Sequence, residues 1–467
     1  MSSTANPHAF TRAAWLAELR AMLALGWPLV LTNVAQIALT TTDVIVLGRL
    51  SAEALAAAAL GVNLYLAILI FAIGLITATS PMMAEAIGRK LHVVRDVRRT
   101  FRQGLWSAVI ITVPAWFVLW HTEAIMLAFG QEAQAAADAQ TFMHMLQWGF
   151  LPTLGFIALR SFVAALQQPK WALVMTGLTI AFNLAANWVL VFGHLGLPAM
   201  GLRGSGLATA LSNLFLFVSF ALVVGFHKKF RRYHLFGRWW RADWPRFARL
   251  WRLGVPIGAT MAFEITVFNA AVFLMGQFGT AALAAHTIVI QIASVSFMVP
   301  MGLSQAATVR VGQAYGAGDR AAISRAGWTA FALGTGFMAM TSALMLLAPL
   351  PLIGAFIDVG DAANAAVVEL AVSFLFFAAV FQIADGAQGV AAGMLRGLQD
   401  TSIPMIFALV GYWGFGMPLG LLLAFRLGFG GQGIWIGLAA GLVAVAIVMV
   451  WRWTGRERLG LVKVVMP

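Results

Sequence analysis

The chain has 467 residues, 61% of them apolar and 10% charged, with a mean hydropathy of +0.87. That balance excludes a water-soluble enzyme or binding module and describes a polytopic membrane protein. The net charge of +13 would suit a nucleic-acid partner, but the basic residues are confined to particular loops, and no nucleic-acid partner is read.

The opening stretch, MSSTANPHAFTRAAWLAELR, has no short apolar core followed by a small-residue cleavage site. No cleaved signal peptide is expected, and the first span serves as its own insertion signal. A helical span needs about twenty apolar residues. The apolar runs place twelve spans, at 21–47, 54–80, 103–121, 143–165, 171–192, 204–226, 255–277, 283–308, 327–350, 366–394, 404–425 and 433–453. A barrel would need short alternating segments instead. Arg12 and Arg20 precede span one; Arg89, Lys90, Arg95, Arg98, Arg99 and Arg102 follow span two; Lys228, Lys229, Arg231, Arg232, Arg238, Arg241, Arg246, Arg249 and Arg252 follow span six. The alternate loops hold only Arg49, Arg203 and Arg426, beside Glu53, Glu123, Glu132, Asp138, Asp358, Asp361 and Glu369. This bias predicts a multi-pass inner-membrane protein with both termini cytoplasmic, its basic loops meeting anionic membrane lipid. The stretch GRWWRADWPRFARLWR, 237–252, is expected along the cytoplasmic surface before span seven. With no cysteine, disulfides, thiolate metal sites and thiol catalysis are excluded.

The two halves repeat. LGWP at 25–28 returns as LGVP at 253–256, and at the same offset of 228 residues LGRL (47–50) meets MGQF (275–278) and ALAA (54–57) meets ALAA (282–285). Single matches of this size are common, but a shared offset is not. GSGLATA at 204–210 faces GQGIWIG at 431–437, one residue out of that register. Six spans per half return the chain to its starting side, so the halves are expected to be parallel repeats. The predicted organisation is an N-terminal lobe, 1–226, a basic cytoplasmic linker, 227–254, and a C-terminal lobe, 255–467.

Of the seventeen acidic residues, three fall well inside predicted spans: Asp43, Glu264 and Asp385. A central charge costs roughly 2.5–3.5 kcal/mol on insertion scales, so such residues face a partner or a watery cavity. Glu264 lies twelve residues from Arg252 and Asp385 eleven from Arg396. At about 1.5 Å per residue, both sit roughly 16–18 Å from the cytoplasmic rim, mid-depth in a core about 30 Å thick. Two carboxylates at one depth in one half can hold a cation together, and as close neighbours they cannot both stay ionised without a counter-ion. They are read as a proton or Na⁺ site, against the alternative that each is tied to a polar neighbour for packing alone. Asp43 lies six residues before Arg49, in the other half and the outer leaflet. Asn183 and Asn187 are i and i+4 and share a helix face, so their amides can hydrogen-bond Asp43 or line a second site. The alternatives there are snorkelling of Asp43 to the interface and asparagines acting as helix glue.

Other features point away from chemistry. YGAGD and GFGGQG neither precede Lys-Ser/Thr nor follow a strand, so no nucleotide-binding loop is present. His144 and His286 lack metal-ligand spacing and are read as packing residues. Neither an enzyme nor a cofactor is expected. Phe263, Phe268, Phe381 and Met261 near the carboxylates could form an adaptable surface for flat, cationic ligands.

The stretches VAQIALTTTDVIVLG (34–48), QQPKWALVMTGLTIAFNLAANWVLVFG (167–193), MAFEITVF (261–268), AAHTIVIQ (284–291), VRVGQAYGAGD (309–319) and FQIADGAQGVAAGMLRGLQD (381–400) resemble, in order along nearly all twelve spans, the multidrug and toxic compound extrusion (MATE) family in its NorM-like branch. The pair FE in span seven with D..Q..AAG.LRG..D in span ten is the most specific part. The resemblance implies an all-α membrane fold of twelve transmembrane helices in two six-helix lobes forming a V-shaped cleft. It further implies export of bulky, often cationic, organic compounds in exchange for Na⁺ or H⁺. By motif position, Glu264 and Asp385 resemble the coupling-cation carboxylates, Asp43 the N-lobe aspartate of protonation and drug release, and Asn183 and Asn187 the paired asparagines of span five. Two departures stand out. Ala185 replaces a proline frequent between those asparagines, which leaves a bend in span five open. Phe381 replaces a frequent tyrosine, which removes a hydroxyl near Asp385; losing an oxygen weakens Na⁺ binding more than protonation, so the expectation leans to H⁺. The chain is taken as a monomer. The alternative within the same superfamily is a lipid-linked oligosaccharide flippase, which would carry basic residues inside its cavity, whereas Arg160 is the main cation within these spans. A membrane enzyme lacks a nucleophile-base pairing here, and the two-lobed repeat favours a rocking transporter over a fixed pore.

Overall fold

Backbone groups in hydrocarbon have no water to bond, and every regular element among the described residues is a helix. The computed structural model describes residues 11–237 and 239–462. Arg238 of the basic loop and the first ten residues, on which part of the signal-peptide reading rests, lie outside them. Among the described residues, twelve helices are long and apolar enough to cross a membrane. Spans one to six are Arg12–Leu50, Ala52–Arg89, Val93–Trp120, Ala133–Ala165, Lys170–Phe192 and Gly201–Phe226. Spans seven to twelve are Trp244–Gly276, Thr280–Ala317, Arg320–Leu347, Ala362–Gly397, Ser402–Arg426 and Gly430–Thr454.

Each overlaps one predicted run, and several are longer; span one has 39 residues. Hydropathy marks only the apolar part, whereas i→i−4 bonding carries a helix on to its capping residues. Ser51 caps span two by accepting from the Ala54 N–H (3.0 Å), and Asp319 caps span nine by accepting from Ala322 (2.8 Å). The helix of span seven begins at Trp244, so half of the stretch expected along the surface forms its first turns.

The repeat reaches the backbone. Lys90 (φ 57°) ends span two in the left-handed region, and Gly318 (φ 71°), at the repeat offset, ends span eight. Gln167 (φ 58°) after span four corresponds to Gln399 (φ 62°) after span ten. Non-glycine residues seldom take this conformation, so the matched pair marks equivalent turns.

By contacts, the chain divides into two compact units, Leu31–Gly258 and Met1–Val30 with Ala259–Pro467. The chain passes from one to the other two residues after Pro28 in span one and two residues after Pro256 in span seven, the same repeat position. Proline removes an i→i−4 hydrogen bond and crowds the preceding turn, so both passages fall where the helix is weakest. Ion pairs hold each first half-span in its unit. Arg310 Nε of span eight donates to Glu18 Oε1 of span one (2.8 Å). In the Leu31–Gly258 unit, Arg246 and Arg249 of span seven pair with Asp96 (3.0 Å) and Glu85 (2.7 Å), and Arg99 pairs with Asp243 (2.9 Å). Several basic residues read only as topology and headgroup charges therefore also hold helices together.

Span ten, which carries Asp385, is positioned by close packing on span eight. Ser304 Oγ donates to the Gly389 carbonyl (2.7 Å) and Thr308 Oγ1 to that of Gly393 (2.9 Å). A Cβ on Gly393 would overlap the carbonyl and hydroxyl oxygens of Ser304. Small residues at such a seam let two helices approach closely. Gly393→Val is expected to lower the thermal unfolding temperature of the purified protein, at an overpacking cost of about 1–3 kcal/mol. Gly336→Ala, where a new Cβ meets nothing within 4 Å, is expected to leave it unchanged or slightly raised. Denaturation curves of both variants beside the parent check this.

Candidate functional site

Each unit contains one internal carboxylate cluster. In the unit that begins again at Ala259, span seven supplies Glu264, and span ten supplies Asp385 and Gln388, which are i and i+3 and share a face. The Gln388 amide donates through Nε2 to Glu264 Oε1 and to Asp385 Oδ1, each at 3.3 Å. The predicted pair is thus brought together by a neutral residue that the sequence carried only as the Q of the D..Q..AAG motif, with no role assigned to it. Asp385 is 6% exposed and Gln388 2%, whereas Glu264 is half-buried.

Glu264 lines a small cleft with Val267, Phe268, Tyr412, Gly416 and Leu438. Tyr412 lies in a π-helical stretch of span eleven, Leu409–Gly416, where the wider turn departs from the regular helical register. Its hydroxyl is buried without a hydrogen-bond partner. Arg396 lies three turns beyond Asp385 on span ten. Sequence reasoning used Arg396 only as a depth marker and passed over Tyr412. Phe381, one turn before Asp385, is buried edge-on against Phe268 (centroids 5.8 Å) and Trp435 (5.6 Å). The hydroxyl that Phe381 lacks has a counterpart in the cleft from Tyr412.

In the Leu31–Gly258 unit, Asp43 is engaged on both oxygens. Asn183 Nδ2 (3.0 Å) and Asn187 Nδ2 (2.9 Å) donate to Oδ1, and Thr209 Oγ1 of span six donates to Oδ2 (2.8 Å). Span five runs as one helix through Ala185, which keeps the asparagines one turn apart on one face. Asp43 is therefore held by three donors from two other spans. Thr209 was missed because a threonine in an apolar run costs little and attracts no notice. Of the two histidines read as packing residues, His144 stacks on Trp120 (4.2 Å) and His286 lies against Trp435 (5.3 Å).

Thr209→Val removes one hydrogen bond to a carboxylate and is expected to cost about 1.5–3 kcal/mol of stability. Thr287→Val removes an exposed hydroxyl bonded only to its own helix and is expected to stay within about 0.5 kcal/mol of the parent. Thermal denaturation of the two variants in one detergent separates them.

Twelve spans in two repeats, with polar clusters inside, define a repeat-built membrane transporter. Residues 28–189 and 256–422 match the MatE family model, in two segments that begin at the paired prolines. The chain belongs to the MatE family, the multidrug and toxic compound extrusion transporters, and is a transporter rather than an enzyme. A Mesorhizobium japonicum protein named probable multidrug resistance protein NorM is 58% identical over 445 residues, 95% of each chain. One of the same name from Rhizobium meliloti is 42% identical over 89% of each. Among solved structures, the eukaryotic MATE transporter AtDTX14 superposes with a TM-score of 0.82 at 20% identity, covering 95% of this chain and 99% of that one. A mutant of the Vibrio cholerae MATE transporter VcmN gives 0.84 at 16% identity, covering 96% and 99%. At those identities the structures bear on the fold alone.

Proposed function

We propose that this chain is a secondary antiporter of the bacterial inner membrane that exports organic compounds, many of them cationic, in exchange for H⁺ or Na⁺ by alternating access. The relatives named as multidrug resistance proteins support the export of drugs. The observation that carries the coupling site is the Gln388 amide shared by Glu264 and Asp385. Two carboxylates brought together by one neutral amide cannot both stay ionised at low cost, so the site favours taking up a cation, H⁺ or Na⁺. A buried uncompensated charge is costly and a neutralised site is not, so loaded and empty forms favour different exposure. A coupling free energy of about 1–3 kcal/mol between ion and facing state is enough to bias the cycle. Tyr412, which lines the same cleft and has an unpartnered hydroxyl, can offer an oxygen, so the change at Phe381 does not by itself disfavour Na⁺.

In this reading the two repeats act as lobes, spans one to six and seven to twelve, within a monomer. Both termini and the basic loops face the cytoplasm, where they meet anionic lipid, as the charge distribution supports. Asp43, with Asn183, Asn187 and Thr209, forms a separate site that serves drug release.

Efflux of a fluorescent organic cation from proteoliposomes, driven by a Na⁺ or an H⁺ gradient in turn, tests the proposal. Glu264→Gln and Asp385→Asn are each expected to abolish ion-driven efflux at normal protein levels. Asp43→Asn is expected to impair efflux while cation binding to the purified protein persists. Efflux at the parental rate in both of the first two variants would remove the paired carboxylates as the coupling site.

A further inference from the structure

Spans three, four and six of the Leu31–Gly258 unit line an apolar groove of about 790 Å³. Span three contributes Arg102, Trp106 and Val109, and span six contributes Leu222 and Gly225. Trp239, from the loop after span six, lies beside them, its carbonyl accepting from Trp106 Nε1 (2.8 Å). That loop is fixed across spans three and four, with Phe236 edge-on to Phe101 (5.7 Å) and Tyr233 edge-on to Phe162 (5.2 Å). Val109 and Leu222 are apolar and exposed, as on a surface that meets acyl chains rather than water. A Cβ on Gly225 would meet nothing within 4 Å, so no side chain of the protein fills the space beside it.

The first turns of span three carry Arg95, Arg98, Arg99 and Arg102. Arg95 lies 3.8 Å from Asp96 and Arg99 2.9 Å from Asp243. Among the described residues Arg98 has no carboxylate within 4.0 Å, and its Nε is buried with no acceptor. Positions 98, 102, 106 and 109 follow one another at three- or four-residue steps and share one face of the helix. Read along that face, the order is guanidinium, guanidinium, indole and aliphatic chain. The same order complements a phospholipid, whose phosphate, ester region and acyl chain follow one another from the membrane surface inward.

We propose that this groove is a discrete site for one anionic phospholipid, with an acyl chain between spans three and six and the phosphate on Arg98 and Arg102. A planar guanidinium gives phosphate two parallel charge-assisted hydrogen bonds. The proposal goes beyond the general attraction of basic loops for anionic headgroups, because it includes a chain-binding part built from span residues. It does not depend on the antiport reading. A hydrophobic cation, the other occupant an apolar groove could take, would meet two arginines at its basic end.

The test uses purified full-length protein, stripped of lipid in dodecyl maltoside and titrated with three probes: dioleoyl phosphatidylglycerol, dioleoyl phosphatidylcholine and dihexanoyl phosphatidylglycerol. Bound lipid is counted by native mass spectrometry. The parent is expected to bind one dioleoyl phosphatidylglycerol about tenfold or more tighter than either of the others, as a charge-assisted contact joined to chain burial requires. Arg98→Gln is expected to lower it to the phosphatidylcholine level. Gly225→Leu keeps the arginines but fills the open space, and is expected to weaken it about tenfold or more. Gly177→Leu, on span five, where a new Cβ also meets nothing within 4 Å, is expected to keep the parental affinity. Lipid-free unfolding temperatures matching the parent are expected for all three variants, and Arg98→Gln tests the site without touching its packing. Parental binding in Gly225→Leu, or equal binding of the short-chain lipid by the parent, would place the lipid on the basic loops alone and overturn the proposal. Equal binding of phosphatidylcholine by the parent overturns it as well. So does displacement of the lipid by the fluorescent organic cation of the efflux assay, which would give the groove to an exported compound.

Discussion

In hydrocarbon a polar side chain has no partner except another part of the protein, and the internal architecture of this transporter follows from that constraint. Asp43 takes donors from spans five and six, and Glu264 reaches span ten through Gln388. These bonds join residues more than a hundred positions apart in sequence, so each carboxylate is also a tie between helices. Removing a tie leaves a charge behind, which costs more than the bond itself contributes.

The clusters differ in their balance of donors and acceptors, and that balance decides what each can hold. Glu264 and Asp385 offer four carboxylate oxygens to one bridging amide, an excess of acceptors that suits a cation. Asp43 is close to balance, with both oxygens occupied by neutral groups. The two six-span repeats thus carry different side chains at these inward positions, while Lys90 and Gly318, at the shared offset, both end their helices in the left-handed region.

Glycine makes these clusters possible without taking part in them. Spans eight and ten approach closely because Gly393 and Gly397 have no Cβ to meet Ser304, Thr308 and Val311, which lets the Ser304 and Thr308 hydroxyls reach the Gly389 and Gly393 carbonyls across the seam. That contact sets the rotation of span ten and turns Asp385 and Gln388 toward span seven. The π-helical stretch of span eleven does the same for Tyr412, which lines the cleft beside Glu264.

The sequence alone determined the number of spans, because about twenty apolar residues cross a bilayer and polar loops interrupt them. It also determined the repeat, through a shared offset, and the three internal carboxylates, because an acidic residue in an apolar run is conspicuous for its cost. Gln388, Thr209 and Tyr412 were not legible in that way: neutral side chains are inexpensive to bury and leave no mark until a second helix shows what they touch. Nor was the division into units, which falls inside spans one and seven rather than in the long basic loop. Hydropathy reports whether a segment is in the membrane. Which face it turns inward, and against which partner, was decided by side-chain packing between spans distant in the chain, and only the tertiary structure carries that information.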